Sequence, residues 1–427
     1  MKKVCIITLG CKVNQYESEA MLFSLKEKGF EVSTKLTPAD YYIINSCAVT
    51  NEAEHKSREQ VAKILKINPD AKIYVCGCSS EFHPDKFLEK QNVQAVVGTE
   101  NKLLLIEAII NEQKGNLKVA QSTKYFDAYK AEPTRTRGTI KIQDGCNNFC
   151  SYCIIPYTRG RERSRTIASI KNEVKRLSNK TNEIVLVGIN IAAYGKDLKP
   201  KRSLVDVVNI FKEYPNLRLR FSSFEMGTIT KELLLNLKDI PNFCPFFHIS
   251  LQSANNNVLK KMNRHHSFED YYNTVSEIRK VFPNAGISTD IIVGFPTETN
   301  EDFIDGLNNI KTIQFSNIHI FPYSKREGTL AATYPQVNGV IIRERVKQLK
   351  DVAESSKNNF TKQNINSTHE VLIEELKNGF FTGLTKTYIK TYIPPSTPLD
   401  INKIYKVKII TPYLDGVMAE IIGETNG

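Results

Sequence analysis

The sequence predicts an α/β chain built from a parallel αβα sandwich, a partial (β/α)6 barrel and a small antiparallel β-barrel. Strands and helices alternate through residues 1–120, and the same unit repeats about six times through residues 139–360. Short β-rich segments separated by Gly, Pro and Asp fill residues 361–427. A charged linker rich in helix breakers, residues 121–138, separates the first two parts.

The first part consists of short apolar runs that alternate with amphipathic segments. Buried strands are predicted at Val4–Leu9, Tyr41–Asn45, Ile73–Cys76 and Ala95–Val97. Helices are predicted at Glu19–Lys28, which Gly29 closes, and at Arg58–Ile67, which Pro69 closes. This alternation places helices on both faces of a parallel sheet.

The second part repeats the strand–helix unit without completing a barrel. Strands are predicted at Thr139–Gln143, Glu183–Val187, Leu217–Ser222, Phe246–Ser250, Gly286–Val293 and Ile318–Tyr323. The helices between them include Ser169–Ser178, Leu204–Phe211, Phe268–Val281 and Glu301–Ile310. Because a full barrel of this kind has eight units, six close only part of one.

The third part changes to short β segments. They are predicted at Glu370–Ile373, Tyr388–Tyr392, Ile404–Ile410 and Met418–Ile422. Turn residues between them favour a small barrel or sandwich.

Composition points to a polyanionic partner and to a reducing compartment. The 58 Lys and Arg residues against 46 Asp and Glu give a net charge of +12, which favours RNA, although a basic enzyme without such a partner has the same balance. The apolar run Val4–Leu9 is too short for a signal peptide, and Ile240–Leu259 holds prolines and asparagines that a bilayer would not accept. We therefore expect a cytoplasmic protein with no membrane role, whose nine cysteines are metal ligands or catalytic thiols.

Three of these cysteines, Cys146, Cys150 and Cys153, follow the strand Thr139–Gln143 on one short loop, and we call them the loop triplet. The Cys-x3-Cys-x2-Cys spacing lets three thiolates hold one iron–sulfur cluster and leaves one iron open, whereas a zinc knuckle is the alternative. The loop lies at the carboxyl end of a barrel strand, where such folds keep their chemistry.

Cys11, Cys47 and Cys78, here the edge triplet, each come shortly after a predicted strand of the first part. The carboxyl ends of parallel strands lie along one edge of a sheet, so these three thiols can converge on a second metal site. Three unrelated buried cysteines are the alternative. Core packing is the simpler interpretation of the remaining cysteines, Cys5, Cys76 and Cys244, although Cys76 could replace Cys78 as a ligand.

Alternating arginines follow the loop triplet directly, at Arg159, Arg161, Arg163 and Arg165. Guanidinium groups beside an active site suit RNA phosphates, and surface charges or structural ion pairs are the alternative. A second basic run comprises Lys260, Lys261, Arg264, His265 and His266.

Motifs along nearly the whole chain resemble those of one enzyme family. The radical-SAM motif of the methylthiotransferases resembles the stretch QDGCNNFCSYCIIPYTRGRERSR, and their N-terminal domain resembles TLGCKVNQYES, NSCAVT and CGCSS. Their barrel strands are similar to LVGINIAAYG, RFSSFE, HISLQS, STDIIVGFPTET and HIFPYSKREGT, and their TRAM domain to GLTKTYIK and YLDGVMAEI. The segment GCKVNQ is similar to the corresponding segment in the branch of the family that acts on N6-threonylcarbamoyladenosine in tRNA. Departures are small: Ala254 and Met226 stand where the family commonly has glycine and proline.

The resemblance implies a tRNA methylthiotransferase that converts N6-threonylcarbamoyladenosine at position 37 to its 2-methylthio derivative. It implies S-adenosylmethionine and two [4Fe–4S] clusters, one on the loop triplet that binds S-adenosylmethionine and an auxiliary one on the edge triplet that presents sulfur. A 5′-deoxyadenosyl radical removes the hydrogen from C2 of the adenine, and a second S-adenosylmethionine methylates the sulfur. The implied partners are the tRNA anticodon stem-loop and an electron donor protein or reductant.

The same resemblance suggests which side chains meet S-adenosylmethionine, while no side chain is assigned as catalytic. Tyr152 is expected to pack against its adenine. Residues at predicted strand ends are expected to reach its methionine or ribose groups: Asn190, Ser222, Glu225 and Gln252. Ordinary packing or structural hydrogen bonding is the alternative for each.

Three other functions remain open, as does the oligomeric state. The substrate could be isopentenyladenosine in tRNA or a residue of a ribosomal protein. A non-catalytic, zinc-stabilised RNA-binding protein would also explain the basic charge and the cysteines, but it leaves the six barrel units unexplained.

Overall fold

The computed structural model describes residues 1–127, 129–396 and 398–424, and it has the predicted mixed α/β architecture with a separate C-terminal β unit. In its N-terminal part, six strands form one parallel sheet in the order β2-β1-β3-β4-β5-β6. The strands are β1 (Lys3–Thr8), β2 (Glu31–Ser33), β3 (Tyr41–Ser46), β4 (Lys72–Gly77), β5 (Val93–Val96) and β6 (Gly115–Asn116). The helices are α1 (Lys12–Glu27), α2 (Asn51–Ile67), α3 (Cys78–Phe82), α4 (Asp85–Leu88) and α5 (Leu104–Ile110).

Both faces of this sheet are buried, as the near-continuous apolar strands predict. Neighbouring residues of β3 point to opposite faces, so Ile43 packs in one apolar cluster and Ile44 in another. Helix α1 begins at Lys12 rather than at the predicted Glu19. The additional turns are stabilised by tertiary contacts, because Val13 packs against Val185 and Val187 of the barrel.

The second part contains two three-stranded parallel sheets, β11-β10-β7 and β12-β13-β14, joined by isolated parallel bridges, and one two-stranded antiparallel sheet, β8-β9. Its strands are β7 (Gly138–Lys141), β8 (Gln143–Asp144), β9 (Arg163–Ser164), β10 (Glu183–Val187), β11 (Arg218–Phe221), β12 (Phe246–His248), β13 (Gly286–Val293) and β14 (Asn317–Pro322). Its α-helices are α6 (Ile155–Thr158), α7 (Ile167–Leu177), α8 (Leu204–Ile210), α9 (Lys231–Lys238), α10 (Asn256–Lys261), α11 (Phe268–Val281), α12 (Asn300–Ile313) and α13 (Gly339–Gln363). Short 3₁₀ turns lie at Ile191–Ala193, Phe211–Glu213 and Leu330–Thr333.

Side chains alternate along the barrel strands, which explains how the partial barrel is filled. In β10, Ile184 and Leu186 join the main apolar core with the surrounding helices, whereas Val185 and Val187 contact Val13 of α1. The N-terminal part therefore packs directly against the inner face of β10.

The C-terminal part closes into a five-stranded barrel in the order β15-β16-β17-β19-β18. Its strands are β15 (Thr368–Lys377), β16 (Phe380–Thr385), β17 (Lys390–Ile393), β18 (Ile404–Tyr413) and β19 (Gly416–Glu424). The predicted all-antiparallel arrangement is wrong in one place, because β17 and β19 pair in parallel.

This barrel packs under the amino ends of the strands of the second part. Arg220 donates hydrogen bonds to the carbonyls of Thr385 and Lys386 at 3.1 and 3.2 Å, and the Tyr388 ring stacks on Phe246 with centroids 4.4 Å apart. A Cβ atom at Gly286 would lie 2.5 Å from the carbonyl oxygen of Thr387, so glycine permits this close approach. Among the described residues, no helix is both long and apolar enough to cross a membrane.

Candidate active site

The loop triplet lies on a loop that begins with a tight turn at Gly145. Its φ is +71°, and a Cβ atom there would lie 1.9 Å from the carbonyl oxygen of Arg161, so no other residue fits without moving the chain. The amide of Ser151 donates to the carbonyl of Met262 at 3.0 Å, and the carbonyl of Ser151 accepts from Ala331 at 2.8 Å. The loop is therefore fixed to the carboxyl side of the barrel at both of these contacts.

The three thiols of the loop triplet line one cavity of about 260 Å³. Polar hydrogens already approach two of the sulfurs: Cys146 Sγ accepts from the amide of Asn148 at 3.5 Å, and Cys150 Sγ accepts from Arg264 Nη1 at 3.5 Å. Burial raises the pKa of Cys146 to about 11, and the neighbouring Cys150 adds to the rise. A bound metal would reverse this preference, because coordinated thiols lose their protons.

Most of the residues expected to meet S-adenosylmethionine lie beside these sulfurs. Tyr152, Glu225 and Gln252 line the same cavity, and Asn190 Nδ2 lies 3.8 Å from Cys146 Sγ. Gln252 has a φ of +71°, a strained conformation that costs roughly 1–3 kcal/mol in a residue other than glycine and that is typical of functional sites. Ser222 does not line the cavity, and its hydroxyl makes no hydrogen bond with a described residue.

Two charged residues of the cavity were not expected from the sequence. Arg264, which belongs to the second basic run, has a buried side chain that donates to Glu225 Oε2 at 2.5 Å. Asp290 also lines the cavity, although nothing in the strand motif around it marks it as a site residue. Three thiols on one loop leave one iron of a [4Fe–4S] cluster without a protein ligand, so the cavity fits a cluster that binds the amino and carboxylate groups of S-adenosylmethionine.

The edge triplet converges at the carboxyl edge of the N-terminal sheet. Cys11 precedes α1, Cys47 directly follows β3, and Cys78 begins α3. A Cβ atom at Gly10 would lie 2.7 Å from Cys47 Sγ, so this glycine lets the chain before Cys11 approach the second thiol. Burial raises the pKa of Cys47 to about 12, and the neighbouring Cys78 and Cys11 thiols add to the rise.

Two of these three cysteines lie at helix starts: Cys11 is the N-cap residue of α1 and Cys78 is the first residue of α3. Cys11 is exposed and lines a cavity of about 360 Å³. The three thiols can therefore hold a second cluster that is reachable from outside.

Cys5 and Cys76 are fully buried within strands, and Cys244 is fully buried just before β12, which agrees with core packing.

The two triplets face a common region. Cys78 packs against Ile154, the residue after Cys153, and Val49 and Thr50, which follow Cys47, line the cavity of the loop triplet. Thr99 Oγ1 also donates to the carbonyl of Thr158 at 2.6 Å across the same junction. Chemistry at one triplet is thus adjacent to chemistry at the other.

A buried charge network lies beside this junction and is centred on Glu17 of α1. Glu17 accepts from Lys102 Nζ at 2.5 Å, from Lys141 Nζ at 2.7 Å and from Arg159 at 3.0 and 3.1 Å. Burial alone would raise the pKa of Glu17, but Arg159, Lys102 and Lys141 lower it well below its ordinary value. Asp144 accepts from Arg159 as well and also pairs with Lys141.

The prediction that four alternating arginines contact RNA is wrong for three of them. Arg159, Arg163 and Arg165 are only 0%, 3% and 4% exposed. Each has carboxylate partners within the protein, such as Glu17 for Arg159, Glu100 for Arg163 and Glu173 for Arg165. A buried and paired guanidinium group cannot reach a phosphate.

Arg161 is the exception among these arginines. It is exposed and lies over the Phe149 ring, 4.6 Å from the centroid. Lys260, Lys261 and His265 of the second basic run are exposed as well.

The barrel interior below the loop triplet is polar. His248 Nε2 lies 3.3 Å from Asp290 Oδ2, His248 Nδ1 lies 2.8 Å from Ser288 Oγ, and the His248 and His319 rings are 5.6 Å apart. Burial lowers the pKa of His319; Asp290 opposes this shift, while His248 and Lys12 reinforce it. Lys12 of α1 therefore lies near the same polar interior, which could also accommodate a metal ion on its two imidazoles and one carboxylate.

A six-stranded partial barrel with a cysteine triplet at the carboxyl ends of its strands defines a radical-SAM enzyme. The family model described as the Radical SAM superfamily matches residues 140–309, and the model described as Uncharacterized protein family UPF0004 matches residues 3–98. The solved structure of the radical S-adenosylmethionine methyltransferase TsrM from Kitasatospora setae superposes with a TM-score of 0.54 over 75% of each chain. At 15% identity, this likeness concerns the fold alone.

Relatives of known name match almost the full length. The threonylcarbamoyladenosine tRNA methylthiotransferase MtaB of Bacillus subtilis is 35% identical and covers 99% of this chain and 97% of its own, and that of Thermotoga maritima is 36% identical over 91% of each. The tRNA-2-methylthio-N(6)-dimethylallyladenosine synthase of Thermosipho melanesiensis is 34% identical over 90% of each. The chain belongs to the MtaB-like methylthiotransferase family. It is a radical-SAM transferase with S-adenosylmethionine and [4Fe–4S] clusters as cofactors.

Proposed function

We propose that this enzyme converts N6-threonylcarbamoyladenosine at position 37 of tRNA to its 2-methylthio derivative. In this reaction the C2–H bond of the adenine is broken and a C2–S bond to a methylated sulfur forms. When bound, the cofactors supply the radical, the sulfur and the methyl group. A reductant, as a protein or a small molecule, provides electrons, and the anticodon stem-loop presents the nucleotide.

The observation that most supports this proposal is the adjacency of the two cysteine triplets. The segment after Cys47 lines the cavity of Cys146, Cys150 and Cys153, so a base placed there is near both sets of thiols. We assign the loop triplet to the cluster that binds S-adenosylmethionine and the edge triplet to the auxiliary cluster. Tyr152, Asn190, Glu225, Gln252 and Arg264 would orient S-adenosylmethionine, and the fixed loop would hold it in one position.

The choice of nucleoside rests on the segment GCKVNQ and on the polarity of the barrel interior. The threonylcarbamoyladenosine enzymes match this chain over as much of its length as the dimethylallyladenosine enzymes do, at similar identity, so identity alone does not separate the two substrates. His248, Asp290, His319 and Lys12 give the barrel interior polar groups, while Ile189, Ile292 and Phe321 line the neighbouring cavity of the loop triplet. A threonylcarbamoyl group carries hydroxyl, urea and carboxylate groups that suit the polar interior.

The test uses protein purified without oxygen. Iron and sulfide are quantified, and the enzyme is incubated with S-adenosylmethionine, reductant and tRNA bearing threonylcarbamoyladenosine. We expect about eight irons per chain and a methylthio product in the digested nucleosides by mass spectrometry. Iron without product would direct attention to isopentenyladenosine tRNA and ribosomal proteins, and zinc without S-adenosylmethionine cleavage would favour the RNA-binding alternative.

A further inference from the structure

Lys12 has no hydrogen-bond or ion-pair partner among the described residues, and it lies where the three parts of the chain meet. It is the first residue of α1, directly after Cys11, and it is exposed because it lines two adjoining cavities of about 570 and 360 Å³. Within the described part of the chain, it makes no hydrogen bond and no ion pair. The cavity walls come from α1, the segment 134–137, the strands of the second part and the C-terminal barrel.

Folding alone does not explain a lysine at this position. The start of a helix carries partial positive charge and favours acidic side chains, yet the first turn of α1 has none. Binding of an anion would offset the unfavourable interaction between Lys12 and the start of the helix, because the ammonium group and the free backbone N–H groups would both face the anion.

The other charges on the cavity walls leave room for such an anion. Glu19 accepts from Thr134 Oγ1 at 2.9 Å, and Glu374 pairs with Arg137 at 2.8 Å. Glu375 lies 4.0 Å from Lys377. Arg135, which is exposed and lines both cavities, has no ion pair with a described residue. Glu19 has no ion pair with a described residue either, but its carboxylate accepts hydrogen bonds from Thr134 and Gln15, so Lys12 and Arg135 are the wall cations that lack an ion pair with the described residues.

We propose that Lys12 binds the carboxylate of the threonylcarbamoyl group on the target adenosine, with Arg135 as a second cation in the same cavity. This inference rests on the proposed function and identifies the group that selects its substrate. C2 and the N6 substituent of adenine flank N1 on the same edge of the base. A base whose C2 faces the edge triplet therefore directs its substituent toward the residue that follows Cys11 in the chain. A cavity at the junction of several parts of the protein admits a small substituent more readily than a phosphate backbone.

The experiment compares anticodon stem-loop RNAs that differ only in this carboxylate. One carries threonylcarbamoyladenosine at position 37, a second carries the threoninamide analogue, which lacks the charge, and a third carries adenosine. Their dissociation constants for the anaerobically prepared holoenzyme are measured by fluorescence anisotropy. Because a hydrogen bond to a charged group is involved, we expect the wild type to bind the carboxylate RNA about tenfold to a hundredfold more tightly than the amide RNA.

The variants separate this role from others. Lys12→Met and Lys12→Gln should lose the preference for the carboxylate while binding the adenosine RNA as the wild type does, and Lys12→Arg should keep the preference. Lys26→Met, on an exposed position of the same helix, is the matched control and should behave as the wild type. An equal loss of affinity for all three RNAs would make Lys12 a phosphate contact and overturn the inference.

Two further outcomes would also decide whether Lys12 contacts the carboxylate. A preference that persists in Lys12→Gln would exclude the carboxylate contact. Altered cluster absorbance in Lys12→Gln, with an unchanged preference, would assign Lys12 to the auxiliary cluster instead. Product formation by the wild type on tRNA with threonylcarbamoyladenosine is measured separately, so a failure of the proposed function is distinguishable from a failure of this contact.

Discussion

Arg159 and Glu17 form a bidentate ion pair in which neither side chain has exposed surface. Nη1 of Arg159 donates to Oε1 of Glu17 at 3.0 Å and Nη2 donates to Oε2 at 3.1 Å, although 142 residues separate the two along the chain. Arg159 follows the loop triplet and Glu17 lies on the helix that starts after Cys11. The pair therefore fixes the two halves of the active site relative to each other.

Removing the charge of Glu17 should destabilise the protein strongly. Glu17→Gln leaves Arg159, Lys102 and Lys141 with an incomplete set of buried partners, and breaking such a pair costs about 3–5 kcal/mol. The measurement is thermal and urea denaturation. Glu52→Gln, which removes an exposed ion pair with Lys56, should leave the unfolding midpoint unchanged. Equal midpoints for the two variants would show that the network adds nothing to stability.

Replacing each cysteine triplet should remove one cluster at a time. Alanine at Cys146, Cys150 and Cys153 should lower the iron content from about eight to about four per chain and abolish cleavage of S-adenosylmethionine. Alanine at the edge triplet should lower iron to the same level but leave cleavage intact. Iron analysis and cleavage assays measure both effects. Cys5→Ala, in a buried strand away from both triplets, is the control and should retain all the iron.

Arg161 and Arg163 should respond differently to substitution, although they are two residues apart. Arg161 is exposed, so Arg161→Ala should reduce the salt dependence of tRNA binding by up to about 0.7–0.9 in log–log slope if it contacts one phosphate. Arg163 is buried between Glu100 and Asp144, so Arg163→Ala should instead lower the unfolding temperature. A stable Arg163 variant with a reduced slope would contradict this assignment.

His266 should make the protein acid-sensitive. Burial lowers its pKa to about 4, and Arg264 nearby adds to the shift. Because this value lies below the unfolded value of about 6.5, the neutral ring contributes stability above that pH, and the contribution is lost as the pH falls toward about 4. The unfolding temperature of the wild type should therefore fall more steeply across this window than that of His266→Gln. His55→Gln, on the exposed face of α2, should follow the wild type.

Strong local patterns were sufficient to predict much of the fold. The strands Glu183–Val187 and Gly286–Val293 and the helix Phe268–Val281 have the predicted bounds. The helix is a long periodic segment that begins with a capping box at Ser267, and Glu183–Val187 is a short, mostly apolar run that is buried throughout. The start of α1 was missed because Val13 is buried by contacts with the barrel, which local periodicity does not encode.

The convergence of the cysteines could be predicted in outline, because parallel strands place their carboxyl ends on one edge. The burial of Arg159, Arg163 and Arg165 could not. Alternating arginines resemble a solvated strand, and their partners lie far away in sequence: Glu17 precedes Arg159 by 142 residues. Charge complementarity over such separations is decided only by tertiary structure.

The contact between Arg220 and the carbonyls of Thr385 and Lys386 means that the C-terminal barrel is not a detachable module. Truncating the chain before residue 361 would deprive Arg220 of these acceptors and uncover the Phe246 ring at the base of the radical-SAM fold. Loss of tRNA modification in such a deletion mutant would therefore report a collapsed scaffold as readily as a missing RNA-binding element. Point substitutions on the outer face of β18 and β19 are the cleaner way to separate these two roles.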